Sequence, residues 1–447
     1  MYLHRFEIQN IRSIEWVHWE VAREQAAGWH VIIGDNGSGK SSLLRALALT
    51  LVGPSDAMAL RQDWGSWVRD WWPADLVAAF ARDRPQHGAE VDYARTRIQV
   101  DRDKEYDKFS KGGRTVERSL LEIGLSFKRV EGGHVELKKR PRLPFDPARH
   151  VWGTGDGWFS ASYGPFRRFF GGDKDLEKLN YTHPKLARHL SVFGEGVALT
   201  ECITWLKDLH YKQLDHKPEG DLLTPLREFI NQDGFLPHKT RLKSISPDGV
   251  LFEDGNGYPV LVENLSDGYR SILSMTFELI RQLALAYGSR RVFDPNDPSR
   301  VIAPGVVLID EIDAHLHPTW QRRVGLWFRK HFPNLQFVVT THSPLVCQAA
   351  DHGTVYRLPR PGTNEEGTMV AGKDLYRLLY GNVLDAYDTE LFGEDVGRSD
   401  AGREKMGRLA ELNTKELTTK LTAAEKREQA RLREQLSAVA DASEDDE

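Results

Sequence analysis

A chain of 447 residues, 40% hydrophobic and 28% charged, has room for two or three domains around a large buried core. Its formal net charge of -5 excludes a globally basic nucleic-acid binder, so any such surface must be a local patch. Two cysteines, Cys202 and Cys347, exclude a disulfide framework, and no stretch reaches the ~18 apolar residues of a membrane span. The first residues, Met1-Tyr2-Leu3-His4-Arg5, lack the basic and then apolar run of a signal peptide. These features predict a soluble, cytoplasmic protein.

In chain order, the apolar run Trp29–Ile33 reads as a buried strand, because it is bounded by polar residues and shows no alternation. A helix from Ser41 to Leu51 follows, with Gly53 as its C-terminal cap. Residues 56–80 carry Trp64, Trp67, Trp71 and Trp72 and predict a helix anchored by aromatic rings. Arg82 and His87 match a ribonuclease spacing, but the intervening Pro85 and the lack of an apolar helix argue against it. The stretch 95–142 alternates, is rich in Lys and Arg, and ends in Lys138-Lys139-Arg140. It predicts strands and a hairpin with a solvated basic edge. Residues 183–232 read as helical, marked by Leu186, Leu190, Val197, Leu206 and Leu209. Strands return over 241–262, and 287–305 reads as a surface loop.

Two further buried strands are predicted at Val306–Ile309 and Phe337–Val339, with a helix from Trp320 to His331 between them. The last 50 or so residues are strongly charged. There Thr422-Ala423-Ala424-Glu425 is a capping box, followed by a narrow apolar stripe of Leu432, Leu436 and Val439. A stripe this narrow buries little by itself and predicts docking on a second protein. The end, Ser443-Glu444-Asp445-Asp446-Glu447, reads as a disordered acidic tail.

Gly34-Asp35-Asn36-Gly37-Ser38-Gly39-Lys40-Ser41 matches G-x-x-x-x-G-K-[ST] between a strand and a helix, the context in which that motif binds phosphate. Its glycines let backbone N–H groups converge, and the helix N-terminus adds positive potential. Asn36, Gly37, Ser38, Gly39, Lys40, Ser41 and Ser42 are therefore candidate ATP contacts, with the Ser41 hydroxyl on Mg²⁺. The strand Val306–Ile309 ends in Asp310-Glu311. Asp310 is the candidate Mg²⁺ partner, and Glu311 the candidate base that orients or deprotonates water.

On these residues the chain resembles ABC-type ATPases of the SMC, RecF and OLD kind, and most of all the ATPases of Septu-type antiphage systems, retron-associated ones included. Leu265-Ser266-Asp267-Gly268 resembles the signature segment, which implies that Ser266 and Gly268 contact nucleotide held by a second subunit. Thr340-Thr341-His342-Ser343-Pro344 is similar to the switch segment and implies that His342 senses the γ-phosphate. Asp310 to Pro318 resembles the combined Walker B and D-loop of such proteins, whose histidines, here His315 and His317, lie at a dimer contact without metal. Asn10-Ile11-Arg12-Ser13 resembles the segment near the adenine and makes Arg12 a candidate contact, although a surface Arg at a turn fits equally. Tyr163-Gly164-Pro165-Phe166-Arg167 resembles a Septu segment between two lobes, and no glutamine is assigned to a Q-loop.

The implied fold is α/β: an ABC-type P-loop NTPase head over 1–345 with a mixed sheet and an inserted helical lobe at about 150–262. A charged helical extension would occupy 346–447. The interval between the phosphate loop and the signature lacks sustained heptads, which excludes a long coiled-coil arm. The resemblance implies a homodimer or higher oligomer, and a defence role in which the ATP state controls a second effector protein, an HNH-type nuclease. Nucleic acid is a further candidate partner, and a RecF-like DNA-repair ATPase is the alternative.

Overall fold

The computed structural model describes residues 1–69, 93–110, 120–130, 134–154, 157–169, 173–194, 201–246, 248–363, 365–387, 391–392 and 399–437. Trp71, Trp72, the Arg82/His87 pair, Val197, Val439 and the acidic tail lie outside them.

The order of strands in the main sheet decides where the ends of the motifs fall. Strands β3 (Gly28–Ile33), β8 (Ser160–Tyr163), β12 (Gly305–Ile309), β13 (Leu335–Thr340), β14 (Gly353–Arg357) and β15 (Thr368–Met369) form a sheet of order β15-β14-β3-β13-β12-β8. All neighbours are parallel except the β14–β15 pair. The three predicted strands are its centre, buried on both faces as their unbroken apolar runs require.

A second, antiparallel sheet contains β1 (Tyr2–Ile11), β2 (Ile14–Glu20), β4 (Tyr93–Asp101), β5 (Leu120–Ile123), β6 (Leu125–Arg129) and β7 (Val135–Lys139). Its strands alternate buried and exposed positions, so one face meets the core and the other meets solvent. On that outer face, among the described residues, Arg97 pairs with Glu122 at 2.8 Å and Lys138 with Glu136 at 2.5 Å, while Arg140 lies near Arg95 and Arg97.

Helix α1 (Lys40–Val52) lies between the two sheets. Leu43, Leu44, Leu47, Leu49 and Leu51 pack in one core with Phe6, Ile98 and Phe127 of the antiparallel sheet and Ile32, Leu308 and Val338 of the parallel one. A helix covered on both sides needs apolar residues all round, which is why this one has no polar stripe. Each fully buried leucine contributes about 2 kcal/mol, so the N-terminus of α1 is held on a rigid support.

Trp64 and Trp67 are buried against Phe127, but they sit on a single 3-10 turn, Trp64–Trp67, not on the long helix expected over 56–80. Gly53 ends α1, and Pro54 starts a short separate helix. The described residues of 183–232 form short turns and the helices α2 (Glu201–Leu214) and α3 (Leu223–Ile230). The ribbon β9 (Arg241–Ser246), β10 (Gly249–Glu253) and β11 (Pro259–Leu261) then leads to α4 (Asp267–Tyr287). Helix α5 (Pro318–His331) connects β12 to β13.

Two expected boundaries move. β8 is a strand of the parallel sheet beside β12, so an inserted lobe does not begin at 150. Residues 346–382 belong with the first compact unit, Met1–Asn382, because β14 pairs with β3 and α6 (Gly372–Tyr380) follows it. The second unit, Val383–Glu447, holds a helical hairpin of α7 (Asp400–Thr418) and α8 (Ala423–Ser437). The Thr422/Glu425 capping box opens α8 as read from the sequence. Leu432 is not free for a partner, however. It is buried against Leu412 of α7 and Leu421 of the connecting turn, so this residue of the stripe packs within the hairpin. No single described helix is long and apolar enough to cross a membrane.

The ion pairs joining α7 to α8, Arg408–Glu428 among them, are solvent-exposed and contribute little, so the three leucines hold the hairpin. Leu412→Ala should therefore lower its local stability by about 2–5 kcal/mol. Hydrogen exchange should show faster amides over 400–437 and unchanged protection in the parallel sheet; unaltered exchange in the hairpin would contradict this packing.

Candidate nucleotide-binding site

Parallel register brings four strand ends to one edge of the sheet. Ile32 pairs with Thr340, Val339 with Ile309, and Ile309 with Tyr163. The loop 34–39, the Asp310-Glu311 turn, the segment 340–343 and the segment 164–167 all leave from this edge, the carboxyl ends of the strands, where open α/β sheets bind ligands.

The loop after β3 runs into α1. Gly39 has φ +99°, and a Cβ there would stand 2.8 Å from both Ile14 Cγ1 and Ser13 Oγ. A side chain is excluded by conformation and by space, and the loop is packed on the β1–β2 turn. Lys40 is buried, and its ammonium donates to the carbonyls of Gly34 at 2.7 Å and Asp35 at 3.0 Å. Burial lowers its pKa, while Glu311, Asp310, Asp35 and Asp313 oppose that shift. Ser38 Oγ is buried without a hydrogen-bond partner in the same loop, while Asn36 and Gly37 are exposed. Ser41 and Ser42 lie half-buried in the first turn of α1.

Asp310 is buried at the end of β12 and accepts a hydrogen bond at Oδ1 from the Thr340 hydroxyl at 2.6 Å. The same hydroxyl accepts from the Glu311 N–H at 2.8 Å. Glu311 has φ +45°, a left-handed conformation that costs a non-glycine residue about 1–3 kcal/mol and must be held by its surroundings. Asp313 accepts from the Thr341 hydroxyl at 2.6 Å and from the His342 N–H at 3.4 Å. His342 is exposed; partial burial and then the charge of Lys40 lower its pKa, with Asp313, Glu311 and Asp310 acting the other way. Lys40, Asp310, Glu311 and His342, far apart in the chain, thus form one electrostatic cluster.

Sequence reasoning had assigned no role to Thr340, Asp313 or Arg167. All three stand inside motif segments of the sequence, but the partners of Thr340 and Asp313 lie about thirty residues away and those that Arg167 finds on the acidic turn lie much farther. Arg167 is fully buried and donates through Nη1 to the carbonyls of Gly164 at 3.1 Å and Asp310 at 3.0 Å. Its Nη2 donates to those of Glu311 at 3.1 Å and Ile312 at 3.4 Å. Burial pushes its pKa down to about 10, which leaves it charged at neutral pH.

Arg12 lies in the left-handed turn between β1 and β2, the turn packed on Gly39. Its guanidinium covers the Trp67 ring at 4.5 Å, and the Arg12 backbone N–H donates to the Trp67 carbonyl at 3.0 Å. Ser266 and Gly268 lie at the N-terminus of α4. Ser266 is the exposed N-cap of the 21-residue helix α4, yet its hydroxyl does not cap that helix. Gly268 packs so closely that a Cβ would lie 2.8 Å from the His315 carbonyl oxygen. His317 caps α5 by accepting from the Thr319 N–H at 3.3 Å. Among the described residues no group of three His, Cys, Asp or Glu side chains could hold a metal ion by itself.

Residues 81–348 match a family described as "AAA domain, putative AbiEii toxin, Type IV TA system", and residues 5–133 match a second described as "AAA domain". The Septu protein PtuA of Bacillus mycoides (strain KBAB4) is 24% identical over 356 residues, 79% of this chain and 40% of that protein. The Retron Ec83 probable ATPase of Escherichia coli is 39% identical over 124 residues, 28% of this chain and 22% of that protein. The chain thus spans less than half the length of these curated relatives. A solved SMC head bound to the C-winged helix domain of ScpA aligns over 84% of this chain and 100% of its own, with 17% identity and a TM-score of 0.49. The first family match covers more than half of the 447 residues and runs through the Asp310-Glu311 turn and the His342 segment; with a phosphate loop at the same sheet edge, the chain belongs to this AAA-domain family of P-loop ATPases.

Proposed function

We propose that this chain binds and hydrolyses ATP with Mg²⁺ as one half of a composite site, and that its ATP state governs a partner effector in antiphage defence. The observation that carries the ATPase reading is the clustering of Lys40, Asp310, Glu311 and His342 at the mouth of a loop whose Ser38 hydroxyl is buried without a protein partner. That donor set suits a polyphosphate: backbone N–H groups, a hydroxyl and an ammonium at a helix N-terminus. Ser41 and Asp310 would hold Mg²⁺, which supplies charge neutralisation on the phosphates.

The protein's own residues then divide the work. The loop 34–39 and Lys40 bind the outer phosphates, with Asn36, Gly37, Ser38, Gly39 and Ser42 lining them. Glu311 orients the attacking water and takes its proton. His342, tied to Asp313 through its backbone, senses the γ-phosphate. Arg12, on the turn packed against Gly39, is the base-side contact. Ser266 and Gly268 present the α4 N-terminus, with an uncommitted hydroxyl, to nucleotide on a second copy of the chain.

Likeness to PtuA and to a retron ATPase supports the defence role. A nuclease of the HNH type is the effector we expect.

Lys40→Ala should abolish tight ATP binding, as measured by titration with labelled ATP; wild-type affinity in this variant would refute the phosphate-loop reading. Glu311→Gln removes the base while leaving Asp310 in place. It should bind ATP normally and hydrolyse it about 10²–10⁴-fold more slowly, so that ATP accumulates on the protein. Turnover near wild type would move water activation to another group.

A further inference from the structure

We infer that Arg167 is a positioning residue for hydrolysis, which holds the Asp310-Glu311 turn in its working shape and ties that turn to the signature helix α4. The inference rests on the ATPase reading above.

Three of the Arg167 acceptors are the consecutive carbonyls of Asp310, Glu311 and Ile312, the backbone that passes through the left-handed conformation at Glu311. Successive carbonyls diverge there, and a planar guanidinium with several donors in a fixed fork reaches them together, whereas an ammonium is a single point. The side chain of Glu311 takes its direction from this backbone, so Arg167 aims the carboxylate without touching a reacting atom.

The remaining arm points elsewhere. Nε donates to Ser271 Oγ at 2.9 Å, and Ser271 is buried on the second turn of α4. The N-terminal turn of α4 is also fitted to the segment after the acidic turn, through Gly268 against the His315 carbonyl. Between these two points the elements do not close on each other: a cleft of about 300 Å³ lies among Phe166, Arg167, Phe169, Asp267, Arg270 and His315. The Arg167 side chain is therefore a hydrogen-bonded link at the edge of this cleft. Through it, a shift of the acidic turn at one nucleotide reaches Ser266 and Gly268, which serve the nucleotide of the other copy.

The test compares ATP binding at equilibrium with steady-state hydrolysis for the full-length wild type, Arg167→Lys and Ser271→Ala, each with its urea midpoint. Arg167→Lys should keep its ATP Kd within about twofold and lose about 10²-fold in kcat, the scale of a misplaced catalytic group. Ser271→Ala leaves the carbonyl bonds intact and should lose less kcat, again at unchanged Kd. A drop in kcat that only follows lost ATP binding or lost folded protein would make Arg167 merely structural and overturn the inference. Should Arg167→Lys fail to fold, Ser271→Ala decides alone, and wild-type kcat in that variant overturns the coupling. Wild-type protein that binds but never hydrolyses ATP would instead remove the ATPase reading, and this inference with it.

Discussion

Strand β3 lies between β14 and β13, and β13 lies between β3 and β12, all in parallel register. The rest of the site depends on this one constraint. A shift by one residue would turn every side chain of a strand to the opposite face, and here both faces are buried, so the register is strongly specified. Once it is set, the phosphate loop, the acidic turn and the His342 segment must leave the sheet at the same edge. Helix α1, buried between the two sheets, then fixes the loop from the other end.

On that edge the acidic turn is strained and polar, and neighbouring groups satisfy it. Thr340 serves Asp310 and Glu311 with one hydroxyl, Asp313 anchors Thr341 and His342, and Arg167 takes up the carbonyls. Buried donors and acceptors left unpaired are costly, so a network with its members satisfied can hold a geometry that the backbone alone would abandon. The same network joins the turn to α4. If ATP is hydrolysed at this edge and α4 faces a second copy, as proposed, the Arg167–Ser271 hydrogen bond is a physical connection between the two.

The sequence made legible whatever is encoded locally. Gly34 to Ser41 could be read because a phosphate loop needs its glycines, lysine and serine at fixed spacing, and the three central strands because they are unbroken apolar runs. β8 and β14 escaped notice: Ser160-Ala161-Ser162-Tyr163 and Gly353–Arg357 are too polar to look buried, and only their neighbours make them strands of the core sheet. The Trp64 segment has aromatic anchors, but they pack from a 3-10 turn, because rings large enough to reach Phe127 need no helix beneath them. Arg167 stood inside a quoted segment, yet its partners are carbonyls 143 to 145 residues away. Leu432 looked unpartnered because its counterpart, Leu412, lies on a separate helix of equally weak pattern.

In the proposed dimer two copies complete each other's ATP site, with Lys40 from one chain and the Ser266 end of α4 from the other. Mixing Lys40→Ala with Ser266→Arg tests it most directly, since each variant alone should be inactive while a mixed dimer retains one site with both elements intact. At equal amounts, half of the dimers are mixed and each has one good site, so about a quarter of wild-type hydrolysis should return. A mixture as inactive as its components would contradict the composite site.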